Sequence, residues 1–237
     1  MIKGIIFDYG GTLDSRGTHW SEVLWQGYVQ AGVPVDKQTF RNAYVEGERA
    51  LARERIIMPQ DNFHTLLHKK VELEISFLPD QYDESTCARW VDEIADYCDN
   101  AARTCIDEAR PMLEDLHERY PMMLVSNFYG NIDEVLRHYG IRHLFKGIIE
   151  SAVVGVCKPN PTLFRLGVDA LEMKPEEVLV VGDSLRKDIE PAESLGCHVL
   201  WLKGKGWTDE EDQQTHPHTI TRINQVLDYL KCEACPQ

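Results

Sequence analysis

Six side chains at four separated places in this chain could together do chemistry. They are Asp8, the adjacent Ser126 and Asn127, Lys158, and the carboxylates Asp183 and Asp188. A carboxylate, a hydroxyl, an ammonium and two more carboxylates suit phosphoryl transfer. The first carboxylate can attack phosphorus and form an acyl phosphate, which splits one hard step into two. Charge on the transferring group must be met by cations, and a lysine with a Mg²⁺ held by hard carboxylate oxygens supplies them. Taken singly, each residue also has a plainer reading. Asp8, Asp183 and Asp188 can be helix caps or turn residues, Ser126-Asn127 an ordinary turn, and Lys158 a surface charge.

The elements that must position these residues give them a common place. Ile2 to Phe7 is a short apolar run, too short for a helix and rich in β-branched and aromatic side chains, and it ends in Asp8. Gly10 and Gly11 follow at once and permit a tight turn. Met122 to Val125 reads as a strand ending in Ser126-Asn127, and Val178 to Val181 as a buried strand ending in Gly182-Asp183-Ser184. Gly147 to Glu150 and His198 to Leu202 are further strands, with helices expected over 111–120, 132–139 and 161–171, another after Ser184 ending at about Leu195, and a last over 220–230. Strands alternating with helices imply parallel βαβ units wound right-handedly. In such sheets ligands bind beyond the carboxyl ends of the strands, where all the polar residues above would stand. Lys158 lies in Val156-Cys157-Lys158-Pro159-Asn160-Pro161, whose prolines stiffen the loop and hold off a helix until Pro161.

Between residues 17 and 105 the periodicity is helical throughout. Helices are expected over 19–31, 36–55 and 83–104, and over a third stretch that Asp61 would cap and that runs to Leu78. Asp36 is the other expected cap. The fold class is therefore α/β: a Rossmann-like, doubly wound parallel sheet made of residues 1–16 and 106–237, with residues 17–105 inserted as a helical cap.

The segments FDYGGTL, VSN, CKPNP and VVGDSLRKDIEPAESLG resemble, in order, the four motifs of the haloacid dehalogenase-like (HAD) superfamily, and the insert resembles its class I helical cap. The resemblance implies that Asp8 is the nucleophile and a Mg²⁺ ligand, and that Thr12 helps orient it. Ser126 and the Asn127 backbone would hold the phosphate, and Lys158 would neutralise both nucleophile and phosphate. Asp183 would ligate Mg²⁺, Asp188 would sit in its inner or outer shell, and the carbonyl of residue 10 would be a further ligand.

One position departs from the family pattern. Most phosphatases of the superfamily carry a second aspartate two places after the nucleophile, as general acid and then base, and here that place is Gly10. Metal binding through the carbonyl survives this change, but the proton relay does not. General acid–base catalysis is typically worth ~10²–10⁴-fold, so esters with poor leaving groups should suffer most. Asp14, His19, His64 and His68 are the residues that could substitute. Haloacid dehalogenases also lack the second aspartate, but they work without metal and do not keep the carboxylate found here at Asp183. Phosphonoacetaldehyde hydrolases use a cap lysine, and none of Lys37, Lys69 and Lys70 is marked as buried by its context. The expected activity is a Mg²⁺-dependent phosphohydrolase acting on a small phosphorylated metabolite. The alternative from another class is a phosphoryl-ligand binding or regulatory protein.

Composition narrows the partners. With 25 basic against 39 acidic side chains, the formal charge of −14 repels phosphate backbones and anionic lipid, so neither nucleic acid nor a membrane is an expected partner. Seven irregularly spaced cysteines, no signal peptide and no membrane-spanning run point to a cytoplasmic protein with reduced thiols. Cys232 and Cys235 form a CxxC without a second ligand pair. Arg49, Arg53 and Arg55 could meet an anionic substrate or complement a helix dipole, and Trp20, Trp25 and Trp207 could pack the core or touch substrate.

Overall fold

The computed structural model describes residues 1–234. Its centre is a parallel sheet of β1 (Gly4–Phe7), β2 (Met122–Ser126), β3 (Gly147–Glu150), β4 (Val178–Gly182), β5 (His198–Leu202) and β6 (Thr219–Ile220). Their spatial order is β3-β2-β1-β4-β5-β6. β1 and β4, adjacent in space, are buried along their whole length because both faces of the sheet are covered. The pleat divides the side chains of β1, β2 and β4 between two cores. Ile5, Phe7, Leu124, Leu179 and Val181 face one core, while Ile6, Met123, Val125, Val178 and Val180 face the other. A continuous apolar run in sequence thus becomes two alternating sets in space.

The insertion comprises α1 (Trp20–Gln30), α2 (Lys37–Arg53), α3 (Phe63–Ser76) and the first part of α4 (Glu84–His117). Asp36 caps α2 as expected and Asp83 caps α4, accepting from the N–H of Thr39 and Thr86. Asp61 does not cap α3. Asn62 does, and Asp61 instead accepts from the Met58 N–H at 2.8 Å and Lys69 Nζ at 2.6 Å.

α4 corrects a larger expectation. The two helices foreseen over 83–104 and 111–120 are one helix of 34 residues, about 50 Å long, which passes through Pro111. A proline inside a helix costs ~3 kcal/mol through its missing N–H and its ring. Around it, Ile106, Ala109, Met112, Leu113 and Leu116 are all buried, and at ~1.5–3 kcal/mol for each large side chain that burial outweighs the cost. Position 105/106, the foreseen edge of the insertion, therefore lies inside a continuous helix.

The remaining helices are α5 (Ile132–His138), α6 (Ser151–Val154), α7 (Thr162–Leu171), α8 (Glu190–Ser194), α9 (Asp209–Gln213) and α10 (Gln225–Ala234). A π turn at Leu185–Ile189 precedes α8. Ile220, expected to open the last helix, closes β6, whose partner is β5. In the Cys232/Cys235 pair, Cys235 lies outside the described residues.

Candidate active site

The carboxyl ends of β1, β2 and β4 converge on one cavity of about 870 Å³, and Asp8, Gly10, Ser126, Asn127, Lys158, Asp183 and Asp188 all line it. Asp8 follows β1 directly, and its N–H donates to the Val181 carbonyl at 3.0 Å, tying the turn to the neighbouring strand. Lys158 Nζ lies 2.6 Å from Asp8 Oδ1 and 2.6 Å from Asp188 Oδ1, with all three side chains buried. Thr12 lies beneath them. Its Oγ1 is 3.1 Å from Asp183 Oδ1 and 3.4 Å from Asp8 Oδ2, so the hydroxyl can donate to either carboxylate.

Lys158 owes its position to Asn127. The asparagine side chain accepts from the Lys158 N–H at 2.9 Å and donates to the Lys158 carbonyl at 3.1 Å. This reciprocal pair clamps the Lys158 backbone to the end of β2. The resemblance assigned work only to the Asn127 backbone, so the clamp is an additional role that its side chain performs.

The electrostatics of this floor are unbalanced. Burial pushes the Asp183 carboxyl well above the usual range, and the charges of Asp188 and Asp8 add to the shift. Asp188 is raised as well, mainly by burial, with Lys158 opposing. Burial works against the Lys158 ammonium, but Asp188 and Asp8 outweigh it and hold lysine above its ordinary value. Asp8, Asp183 and Asp188 each offer an oxygen within 4.8 Å of the others. Three carboxylates against one lysine leave negative charge that a hard divalent cation would neutralise, and the all-oxygen donor set fits Mg²⁺.

The turn after Asp8 treats its two glycines differently. Gly11 has φ of 97°, and a Cβ there would stand 2.4 Å from the Asp183 carboxyl carbon, so glycine is required. Gly10 is not among the residues with positive φ, and a Cβ there would meet nothing within 4 Å. The fold thus requires glycine at 11 but not at 10.

The four candidate substitutes for the missing relay are dispersed. His64 pairs with Asp96 and His68 with Asp92 on an exposed face, away from the cavity. Asp14 is buried and does not line the cavity. It accepts from the Gly11 N–H at 2.7 Å and the Trp20 indole N–H at 2.9 Å, holding the turn in shape. Its carboxyl is pushed up to about 8, chiefly by burial. His19 alone of the four lines the cavity. Burial, with Lys187 and Lys70 nearby, lowers it to about 4, and its Nδ1 accepts from the Ser21 N–H. That leaves the proton on Nε2, so a neutral His19 offers a hydrogen bond rather than a proton relay.

The insertion supplies the roof, and here the structure overturns one expectation. Lys70 is buried at 4% exposure and lines the same cavity as Asp8. It is ion-paired to Glu48, lies 3.7 Å from Glu74, and sits 4.8 Å from the centre of the Tyr44 ring. Burial lowers its ammonium and Glu74 pulls it back. The Tyr129 hydroxyl, from the loop after β2, donates to Glu48 at 3.0 Å and joins roof to floor. A signal for this cluster was present in the sequence. Phe63, Leu66, Leu67, Lys70, Val71, Glu74 and Ile75 form one stripe on α3, and two of its members are charged. Arg49, Trp20 and Trp207 also line the cavity. Trp25 instead packs on Phe40, and Arg53 and Arg55 are exposed outside it.

Fold and site together define a Rossmann-like α/β protein with a lysine-bridged carboxylate centre at the carboxyl edge of its sheet. More particularly, the chain belongs to the haloacid dehalogenase-like hydrolases, whose family model matches residues 2–196. It is 37% identical over 99 residues to a glyceraldehyde 3-phosphate phosphatase of Methanocaldococcus jannaschii, a match spanning 41% of this chain and 43% of the relative. The chain thus spans less than half the length of the first curated relatives that it matches. A glyceraldehyde 3-phosphate phosphatase of Pyrococcus abyssi is 28% identical over 86% of this chain and 82% of its own. Among solved structures, a magnesium-bound HAD hydrolase of Bacillus subtilis superposes with a TM-score of 0.61 at 19% identity, covering 97% of this chain and 99% of that one. The last likeness concerns the fold alone.

Proposed function

We propose that the chain is a Mg²⁺-dependent phosphohydrolase that works through an aspartyl phosphate at Asp8 on a small phosphorylated substrate. The observation that carries this reading is Lys158 Nζ at 2.6 Å from both Asp8 and Asp188, inside a cavity open to the roof. The named activity of the phosphatase relatives supports it. In this reading residues 17–105 act as the cap, and the free cysteines among the described residues support a cytoplasmic setting. Among those residues no helix is long and apolar enough to cross a membrane.

In the first step Asp8 Oδ attacks phosphorus, the P–O bond to the leaving group breaks, and the electron pair departs with the leaving oxygen. Ser126 and the Asn127 backbone hold the phosphoryl oxygens. Lys158 meets their charge and pairs with Asp8, and Thr12 fixes the carboxylate's orientation. Asp8, the Gly10 carbonyl, Asp183 and Asp188 would hold Mg²⁺, which when bound supplies charge neutralisation between nucleophile and phosphate. In the second step water attacks phosphorus, releasing phosphate and restoring the Asp8 carboxylate. With glycine at 10, no side chain there protonates the leaving oxygen or takes the water's proton. The reaction is therefore slow, or selective for leaving groups that depart as stable anions.

Hydrolysis of p-nitrophenyl phosphate with and without Mg²⁺, in wild type and Asp8→Asn, tests the reading. Mg²⁺-dependent turnover that Asp8→Asn abolishes is expected. Absence of turnover with Mg²⁺ present would replace it by a phosphoryl-ligand binding protein.

A further inference from the structure

Several polar groups on the roof of the cavity are already engaged with one another or with the floor. Glu48 is held by Lys70 and by the Tyr129 hydroxyl. The indole N–H of Trp20 is spent on Asp14, and His19 Nδ1 on Ser21. What these residues leave toward the cavity is largely ring surface, beside the Nε2–H of His19. Trp20 packs edge-to-face on Phe63 at 5.3 Å, and Phe128 packs edge-to-face on Tyr129 at 5.2 Å. Tyr44 lies against Trp207 at 5.6 Å with the rings tilted by 33°. All six residues line the cavity that holds Asp8.

A polyol or sugar phosphate in such a chamber would bury hydroxyls against carbon, at a cost of ~1–3 kcal/mol for each hydroxyl left unpaired. A flat apolar body would gain stacking of ~0.5–1.5 kcal/mol per ring pair beyond its area burial. The floor selects in the same direction independently. With nothing at Gly10 to protonate the leaving oxygen, the favoured leaving group is one that departs as an anion. A phenolate qualifies, since its conjugate acid has a pKa near that of tyrosine, about 10, far below that of an alkanol.

We propose that the substrate class is the aryl phosphate monoesters, with the ring held between the Trp20–Phe63 and Tyr44–Trp207 walls and the phosphate on Asp8 and Lys158. This rests on the phosphohydrolase reading and names its substrate. The P–O(aryl) bond breaks as Asp8 Oδ bonds to phosphorus. The phenolate leaves with the electron pair and takes its proton from solvent, and water then releases phosphate from Asp8.

Two readouts on the Mg²⁺-loaded full chain test it. The first is calorimetric binding of phenylphosphonate against methylphosphonate, neither of which can turn over. The second is kcat/KM for 2-naphthyl phosphate against acetyl phosphate, whose leaving group is good but not aromatic. Phenylphosphonate is expected to bind at least about tenfold tighter, the equivalent of ~1.4 kcal/mol. In Trp207→Ala and Tyr44→Leu, both at half-buried positions, that margin is expected to shrink while methylphosphonate affinity holds. Equal affinities for the two phosphonates, or a parallel loss of both in the variants, would overturn the inference. Mg²⁺- and Asp8-dependent turnover accompanied by equal phosphonate affinities would overturn the aryl assignment and leave the phosphohydrolase standing. Tight, selective phenylphosphonate binding without turnover of any ester would uphold aryl recognition and overturn the hydrolytic reading on which the substrate assignment rests.

Discussion

Substituting Gly10→Asp should convert this site into one with its own acid and base, and the structure allows the effect to be sized. The backbone at residue 10 lies outside the left-handed region, and its Cβ direction is empty within 4 Å. Losing a glycine there stabilises the fold by about 0.4–1 kcal/mol through the unfolded chain. Repulsion from Asp8, Asp183 and Asp188, partly offset by Lys158, opposes this and also raises the new carboxyl's pKa, which suits an acid. The turn itself accommodates the side chain without backbone strain. For alkyl phosphates, whose leaving oxygen needs a proton, kcat/KM is expected to rise ~10²–10⁴-fold, or ~3–5 kcal/mol of barrier. For p-nitrophenyl phosphate kcat/KM should change less than about tenfold, while kcat rises because the second step gains a base. The assay is kcat/KM against leaving-group pKa over a series of phosphate esters. Wild type should show a steep decline and Gly10→Asp a shallow one. A folded Gly10→Asp protein with the wild-type slope would refute the idea that the missing carboxylate limits the chemistry.

Other perturbations have defined outcomes. Lys158→Met leaves Asp8 and Asp188 buried without their counterion, and should cost ~3–5 kcal/mol in urea unfolding at neutral pH; a loss below about 1 kcal/mol would show the charges to be solvated. Mg²⁺ at about 100 times its Kd should stabilise the chain by ~2.7 kcal/mol, which for its size raises Tm by roughly 5–10 °C. Asp183→Asn should remove that shift, and a retained shift would place the cation elsewhere. Glu74, buried in the roof, is raised from 4.5 to about 7 mainly by burial. Its folded pKa exceeds its unfolded one, so the stability it contributes is complete below pH 4.5 and is lost as pH rises toward 7, by about 3 kcal/mol in all. Glu74→Gln should flatten the fall in unfolding free energy between pH 5 and 8, and an unchanged slope would show that Glu74 is ionised throughout.

Most of the floor of the site was legible in the sequence because Asp8, Ser126 and Asp183 end apolar runs and Lys158 directly precedes Pro159-Asn160-Pro161. A strand buried on both faces writes its boundaries as a change from carbon to polar atoms, and Asp8, Ser126 and Asp183 mark three such changes. Continuity through Pro111 was not legible, since one missing N–H looks the same whether the flanking stripe is buried or exposed. Asp61 and Asn62 are equally good caps side by side, and the choice fell to Asn62 once Asp61 was engaged by Lys69 and the Met58 N–H. β6 has two residues and carries no periodicity to read. Lys70 was missed because its burial depends on Glu48 and Tyr44 from α2 and Tyr129 from the loop after β2. No local pattern brings those residues together, although a lysine and a glutamate inside the apolar stripe of α3 were a usable hint.

The central claim is that phosphate passes through Asp8, and the absence of a base at residue 10 makes this directly observable. The second step lacks its proton acceptor, so the acyl phosphate should accumulate and give a burst of p-nitrophenolate before the steady state. Acid quenching during turnover, followed by mass spectrometry of the peptide containing Asp8, is the most direct measurement. The expected result is a mass increase of one phosphoryl group on Asp8, dependent on Mg²⁺ and absent in Asp8→Asn. Sustained Mg²⁺-dependent turnover with no burst and an unmodified Asp8 peptide would contradict the account.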